Sequence, residues 1–302
     1  MGDSLLKGPR FEIGQEDACY PDALRAIDQP PKRLYVMGDP GAMRPGLAVV
    51  GARRATPYGK SCARQFARIA AEKGVCIISG GARGCDSEAH RAALEAHAQT
   101  VVFLGGGCDH VYPPEHVGLF QQVIDSGGAI VSEHPWGFKP LPYTFRARNR
   151  LIAGLAEAVL IVEAGLPSGT FSTADDALAA GKEVLVVPGA ITSKESHGAN
   201  RLLYQGAIPV VDDESFEDIL FSLLHVLKRP ESDDAGNGSE PESQLVRAVL
   251  ASPMTTDELY QLAIQEYGSD QARSVLAEHL AIAEAERLIA RRPDGRWGPV
   301  VK

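Results

Sequence analysis

Leu47-Ala-Val-Val-Gly-Ala-Arg-Arg54 is an apolar run that closes on a glycine and two arginines. A helical pattern follows over Tyr58 to Lys73, and then a second run, Val75-Cys-Ile-Ile-Ser-Gly-Gly-Ala-Arg-Gly84. A short apolar run bounded by glycine reads as a strand buried on both faces, and a helix-length segment between two such runs makes them parallel neighbours. The unit recurs outward from this pair: further runs fall at Thr100 to Leu104, Ala129 to Val131, Val159 to Val162 and Glu183 to Val187, with helix-length segments at Asp86 to Ala98 and Thr173 to Ala180. The pattern predicts an α/β fold with a doubly wound, mostly parallel sheet.

In such a sheet the strands deliver their carboxyl ends to one edge, where ligands bind. The loops predicted there are Gly51 to Arg54, Ser79 to Gly84, Gly105 to Gly107, Ser132 with Glu133, Ala164 to Thr170, and Pro188-Gly189. All but one of them contain glycine. Glycine lets backbone approach a ligand closely, and N–H groups at the start of a following helix attract phosphate, so the edge is read as an anion site.

The net charge of -9 over 302 residues argues against a nucleic-acid partner until its distribution is read. From Arg44 to Arg91 nine basic residues face only Glu72, Asp86 and Glu88, and from Lys139 to Arg150 there are four basic residues and no acid. The acids gather at Asp212 to Asp218 and Glu231 to Glu242, leaving a local basic surface. The five cysteines form no C-x-x-C pair and read as structural thiols, and the eight histidines show no ligand spacing, so neither metal nor cofactor is expected. No apolar stretch is long enough for a membrane span, and the start lacks a signal-peptide pattern, so a cytoplasmic protein is expected.

The predicted organisation is a lead-in segment over 1–45, a main domain over 46–228, a polar, acidic linker over 229–242 and a small domain over 243–302. Helical spacing over Glu242 to Ala251 and Thr256 to Tyr267, with Thr255 or Thr256 as cap, precedes a third helix from Ser269 towards Ala285. Then Arg287 to Arg292, Pro293-Asp-Gly295 and Arg296 to Val301 read as strand, turn, strand. Three helices and a hairpin suggest a winged-helix-like module, with Arg287, Arg291, Arg292 and Arg296 as phosphate contacts of the wing. A helical tail used for protein contacts is the plainer alternative.

An ordered set of motifs narrows the reading. Val50-Gly-Ala-Arg-Arg54 leads to Thr56-Pro-Tyr-Gly59; Ser79 to Gly84 leads to Asp86 and Ala89-His90; then come Gly105 to Gly107 with Tyr112-Pro113, Ser132-Glu133, Phe145 with Arg148-Asn-Arg150 and Gly154, Glu163-Ala164, Ser168-Gly-Thr170, Pro188-Gly189, Gly198 and Gly206-Ala207. In this order and spacing they resemble the DprA/Smf family of DNA-processing proteins from about Tyr20 to Leu220. The resemblance implies a Rossmann-like fold that binds single-stranded DNA without sequence preference, forms a homodimer, protects incoming strands and assists RecA loading in natural transformation. It also implies no catalytic residues. The candidate DNA contacts are Arg53, Arg54, Ser79, Gly80, Gly81, Arg83, Gly84, Lys139, Phe145, Arg148, Asn149, Arg150, Ser168, Gly169 and Thr170. A basic groove with a stacking aromatic is what a single strand requires. The sequence departs from many relatives in having Arg146 where proline often follows the aromatic, in offering only Lys139 as the preceding lysine, and in lacking the family's frequent helical N-terminal domain.

Each candidate has a plainer reading. Arg53 and Arg54 could be a solvated loop, Phe145 a core aromatic, Asp86 a helix N-cap, and His90 an ordering group. Glu133 and Glu163 are read as loop-ordering carboxylates rather than an acid/base pair. The rival function is a nucleotide phosphoribohydrolase resembling the LOG family, whose motif needs a glutamate soon after Gly-Thr; here Gly169-Thr170 is followed by Phe171, Ser172 and Thr173. A nucleotide-sensing module is a further alternative. A dinucleotide-dependent dehydrogenase would need G-x-G-x-x-G after the first strand, which is missing. The C-terminal module is expected to meet duplex DNA or a protein partner.

Overall fold

The computed structural model describes residues 5–226 without a break and, beyond them, residues 245, 248–249, 253–268, 271–285, 289–292 and 295–299. The chain divides into two compact units, Met1–Lys228 and Arg229–Lys302. In the first, β1 (Arg10–Gly14) and β2 (Arg33–Gly38) flank the short α1 (Asp22–Arg25) and precede β3 (Gly46–Val50), α2 (Pro57–Glu72), β4 (Ile77–Ser79) and α3 (Cys85–Glu95). Next come β5 (Thr100–Phe103), α4 (Val117–Asp125), β6 (Ala129–Ser132), α5 (Pro142–Ala147), α6 (Asn149–Leu155) and β7 (Ala156–Ile161). The unit closes with α7 (Thr170–Ala179), β8 (Glu183–Val186), α8 (His197–Tyr204), β9 (Ile208–Pro209) and α9 (Asp213–Leu224).

These strands form one nine-stranded sheet in the order β1-β2-β6-β5-β4-β3-β7-β8-β9. It is parallel from β6 to β9, while β1 and β2 pair antiparallel at one side. The fold is the expected Rossmann-like α/β arrangement. Side chains alternate between two cores: Ala48 and Val50 of β3 pack on one face while Leu47 and Val49 pack on the other, and β7 repeats this with Val159 and Ile161 against Ala158 and Leu160. Burial on both faces explains why these strands read as unbroken apolar runs, each such side chain contributing roughly 1.5–3 kcal/mol.

The segment read as a lead-in belongs to this sheet. β1 and β2 supply two of its strands, and Ile13, Leu34 and Val36 enter the core. α2 begins where Thr56 caps it, its hydroxyl accepting the Gly59 N–H at 3.1 Å, with Pro57 in the first turn. Its buried stripe, Gly59, Cys62, Ala63, Phe66, Ala67, Ala70 and Ala71, is made largely of small residues. Four cysteines are buried and Cys19 is exposed; all five are free thiols. Burial pushes the Cys76 and Cys108 thiols up to about 12, which suits packing rather than redox chemistry.

In the second unit, α10 (Thr256–Tyr267) is capped by Thr255 through a box with Glu258, and α11 (Ala272–Ala285) follows. β10 (Ile289–Arg291) and β11 (Trp297–Pro299) form an antiparallel hairpin. Leu245, Val249, Leu259, Ala263, Leu276, Leu280 and Ile289 make a core within this unit. The predicted linker over 229–242, Ser269 and Arg287 lie outside the described residues. No helix among the described residues is long and apolar enough to cross a membrane.

Candidate functional site

After β3 the chain winds through β4, β5 and β6 towards one side of the sheet, then returns to place β7 against the other side of β3. The loops after β3 and β7 therefore diverge, and a crevice opens between them. A cleft of about 860 Å³ lies there. Gly51, Ala52 and Arg53 line one wall, Gly165 and Pro167 to Thr173 the other, and Phe145, Arg146, Arg148 and Asn149 contribute from α5, α6 and the residue between them.

Buried hydrogen bonds fix both walls. Glu163, 1% exposed at the end of β7, accepts the Thr56 N–H and the Thr56 hydroxyl, each at 2.8 Å. One carboxylate thus ties the strand behind the second wall to the helix start that follows Arg53 and Arg54, as its loop-ordering reading predicts. Below the cleft, Gly80 is held from both sides: its N–H donates to Asp86 Oδ2 at 3.2 Å, and its carbonyl accepts from Arg148 Nη1 at 2.8 Å. Arg148 also donates to the Phe103 carbonyl. Gly84 has φ +79°, and a side chain there would run into the Ala52 carbonyl, so the β4 loop packs directly beneath the arginine loop.

Asp86 does not cap α3; Gly84 occupies that position, and Asp86 instead gathers the Gly80 and Ala82 N–H groups. Burial raises its pKa, opposed by the Arg148 charge. Burial lowers Arg148 to about 10, opposed by Asp86. His90 is fully buried and meets the Thr100 hydroxyl at 2.7 Å, and burial pulls its pKa down to about 3. These groups order the loops, as read for His90.

The structure brings part of the predicted contact set together. Arg53, Phe145, Asn149, Ser168, Gly169 and Thr170 line the cleft, Arg54 is exposed beside it, and Lys139 is exposed but lines no part of it. Others are built into the loops or held by neighbouring groups. Ser79 is buried, its hydroxyl donating to the Val49 carbonyl at 2.6 Å. Gly80, Gly81 and Gly84 are buried loop backbone. Arg148 is only 4% exposed and its Nη1 is committed to two carbonyls. Arg150 is held by Glu133 at 2.8 and 2.6 Å and does not line the cleft. Arg83 is paired with Glu115.

The basic stretch is also less bare than its composition suggests, because Arg64, Arg68 and Lys73 each meet a carboxylate. Arg53, Arg54, Lys139 and Arg146 are exposed and have no carboxylate partner among the described residues. Arg146 was absent from the predicted contacts. Its place one residue after Phe145 was the available signal. Phe145 is half-buried: the Arg53 guanidinium lies 5.4 Å from its ring centroid and the Tyr112 ring 5.2 Å away.

The family model described as DNA recombination-mediator protein A matches residues 12–223. Protein Smf of Escherichia coli (strain K12) is 41% identical over 230 residues, covering 75% of this chain and 62% of that protein. The first curated relatives matched are covered over only 53% to 63% of their own length. The crystal structure of DNA processing protein A from Streptococcus pneumoniae superposes with a TM-score of 0.65 at 32% identity, over 75% of this chain and 77% of that one. DNA processing protein A from Helicobacter pylori, solved to show its single-stranded DNA binding mode, gives 0.63 at 32% identity over 71% and 96%.

Proposed function

Because the chain belongs to the DNA recombination-mediator protein A family, that of the DprA and Smf proteins, we propose that it binds single-stranded DNA along this cleft without reading its sequence. The carrying observation is the rim: Arg53 and Arg146 stand exposed, with no ion pair among the described residues, on a cleft that ends at Ser168-Gly169 and the start of α7. Two exposed guanidinium groups and the positive end of a helix suit successive phosphates, and phosphate contacts carry no base preference. The Helicobacter pylori relative, whose single-strand binding mode is described, supports the reading.

The protein acts as a binder rather than an enzyme in this account. Glu133 is consumed by Arg150, Glu163 by Thr56 and Asp86 by loop N–H groups, so each carboxylate near the edge already has structural work. Family membership supports the finer parts: a homodimer that protects the strand and hands it to RecA during DNA uptake and recombination in the cytoplasm. The second unit, read as a winged helix, meets duplex DNA or a protein partner, with Arg291, Arg292 and Arg296 on its hairpin.

Titration of fluorescent single-stranded and duplex oligonucleotides of equal length tests the reading. The expected result is preference for the single strand, independent of base composition. Equal affinity for the two forms, or protection of the fold by free nucleotides without DNA affinity, contradicts it.

A further inference from the structure

Tyr112 belongs to the motif set, yet nothing in the cleft so far uses it. Arg53, Phe145 and Tyr112 form a row: the guanidinium stands over the Phe145 ring, and the Tyr112 ring lies 5.2 Å beyond at 55°. Phe145 has little free surface in this row, since a side chain on Gly105 would meet its ring at 2.9 Å. Tyr112 is 41% exposed. Both rings, with Arg53 and Arg83, line a small hollow of about 30 Å³ that shares Arg53, Phe145 and Arg148 with the main cleft. A hollow of that size holds little more than water, so a base cannot enter it and must lie on the ring's open face. Tyr143 is more exposed, but it lines neither the cleft nor the hollow.

We infer that Tyr112, not Phe145, is the aromatic on which a base of the bound strand stacks, with Phe145 serving as the bracket that holds Arg53 and Tyr112 in line. The inference rests on the single-strand reading of the cleft. A phosphate at Arg53 leaves the adjoining base within the reach of Tyr112, and the Arg83 and Glu115 pair beside the ring keeps a charged rim around it. A π-face accepts any base, so this contact adds affinity without sequence preference.

The test compares a single-stranded oligonucleotide with an abasic strand of equal length, using the full chain and its Tyr112→Ala, Tyr112→Phe, Tyr112→Leu and Arg53→Ala variants. The expected result is that Tyr112→Ala and Tyr112→Leu bind the base-bearing strand about tenfold more weakly, leave abasic binding unchanged, and that Tyr112→Phe retains full affinity. Arg53→Ala weakens both strands. If Arg53→Ala weakens both while Tyr112→Leu matches the unaltered chain on the base-bearing strand, or loses both strands equally, the stacking role is overturned and the cleft reading stands. If the unaltered chain ignores single strands, or Arg53→Ala changes nothing, the cleft reading falls and this inference with it.

Discussion

Arg53 and Arg148 are both arginines on the cleft, and burial gives them opposite duties. Arg53 is exposed and Arg148 is 4% exposed, tied to the Gly80 and Phe103 carbonyls above the Asp86 charge. Arg148→Met strands those carbonyls and the buried carboxylate, so unfolding by urea should show a loss of about 3–5 kcal/mol. Arg53→Ala should leave stability within about 0.5 kcal/mol, as for most surface changes, while weakening single-strand binding. Comparable stability for the two variants would contradict this division. His90 gives a pH dependence of defined sign. Its buried ring gains a proton in the folded state only near pH 3, whereas an unfolded histidine does so near 6.5, so stability is full above about 6.5 and lost as pH falls through that window. Between pH 7 and 5 the unaltered chain should lose about 2 kcal/mol more than His90→Gln, and equal losses would show that His90 is not the group responsible.

At the scale of elements, the β-loop-α units were legible because double burial writes itself as apolar runs and the crossover helices carry small-residue stripes such as that of α2. β1 and β2 were not. β1, Arg-Phe-Glu-Ile-Gly, is a mixed edge strand with three exposed residues, and it has no helix-length crossover to announce it. The glycine loops fixed the site's position for the same reason that the strands fixed the fold. Which arginines remain free was not readable, because their partners are remote: Glu115 for Arg83 is 32 residues away and Gly80 for Arg148 is 68 away. Glu163 shows how one such long-range contact sets the spacing of two elements. Glu163→Ala leaves the Thr56 N–H and hydroxyl without their acceptor, and thermal or urea unfolding should register a loss of roughly 1–3 kcal/mol. Single-strand affinity should fall with it because the Arg53 loop is released; unchanged stability would mean the tie between β7 and α2 is dispensable.

At the scale of the molecule, an overall charge of -9 coexists with a cationic cleft rim because carboxylates pair with Arg64, Arg68, Lys73 and Arg83 of the basic stretch, whereas Arg53, Arg54 and Arg146 are exposed with no ion pair among the described residues. Net charge alone pointed away from nucleic acid, and composition by segment overstated the basic surface; the distribution of ion pairs reconciles the two. The second unit has its own core and its own antiparallel hairpin. In the proposed complex Arg53, Arg54 and Arg146 at the cleft, with Lys139 outside its lining, meet the phosphates of a single strand. The most direct test is the salt dependence of binding for the unaltered chain and for Arg53→Ala/Arg54→Ala. About four phosphate contacts at about -0.7 each predict a log-log slope near -3, falling to roughly -1.5 in the double variant together with a loss of affinity. A slope unchanged by the double substitution, or near zero in the unaltered chain, would place the strand elsewhere or remove it.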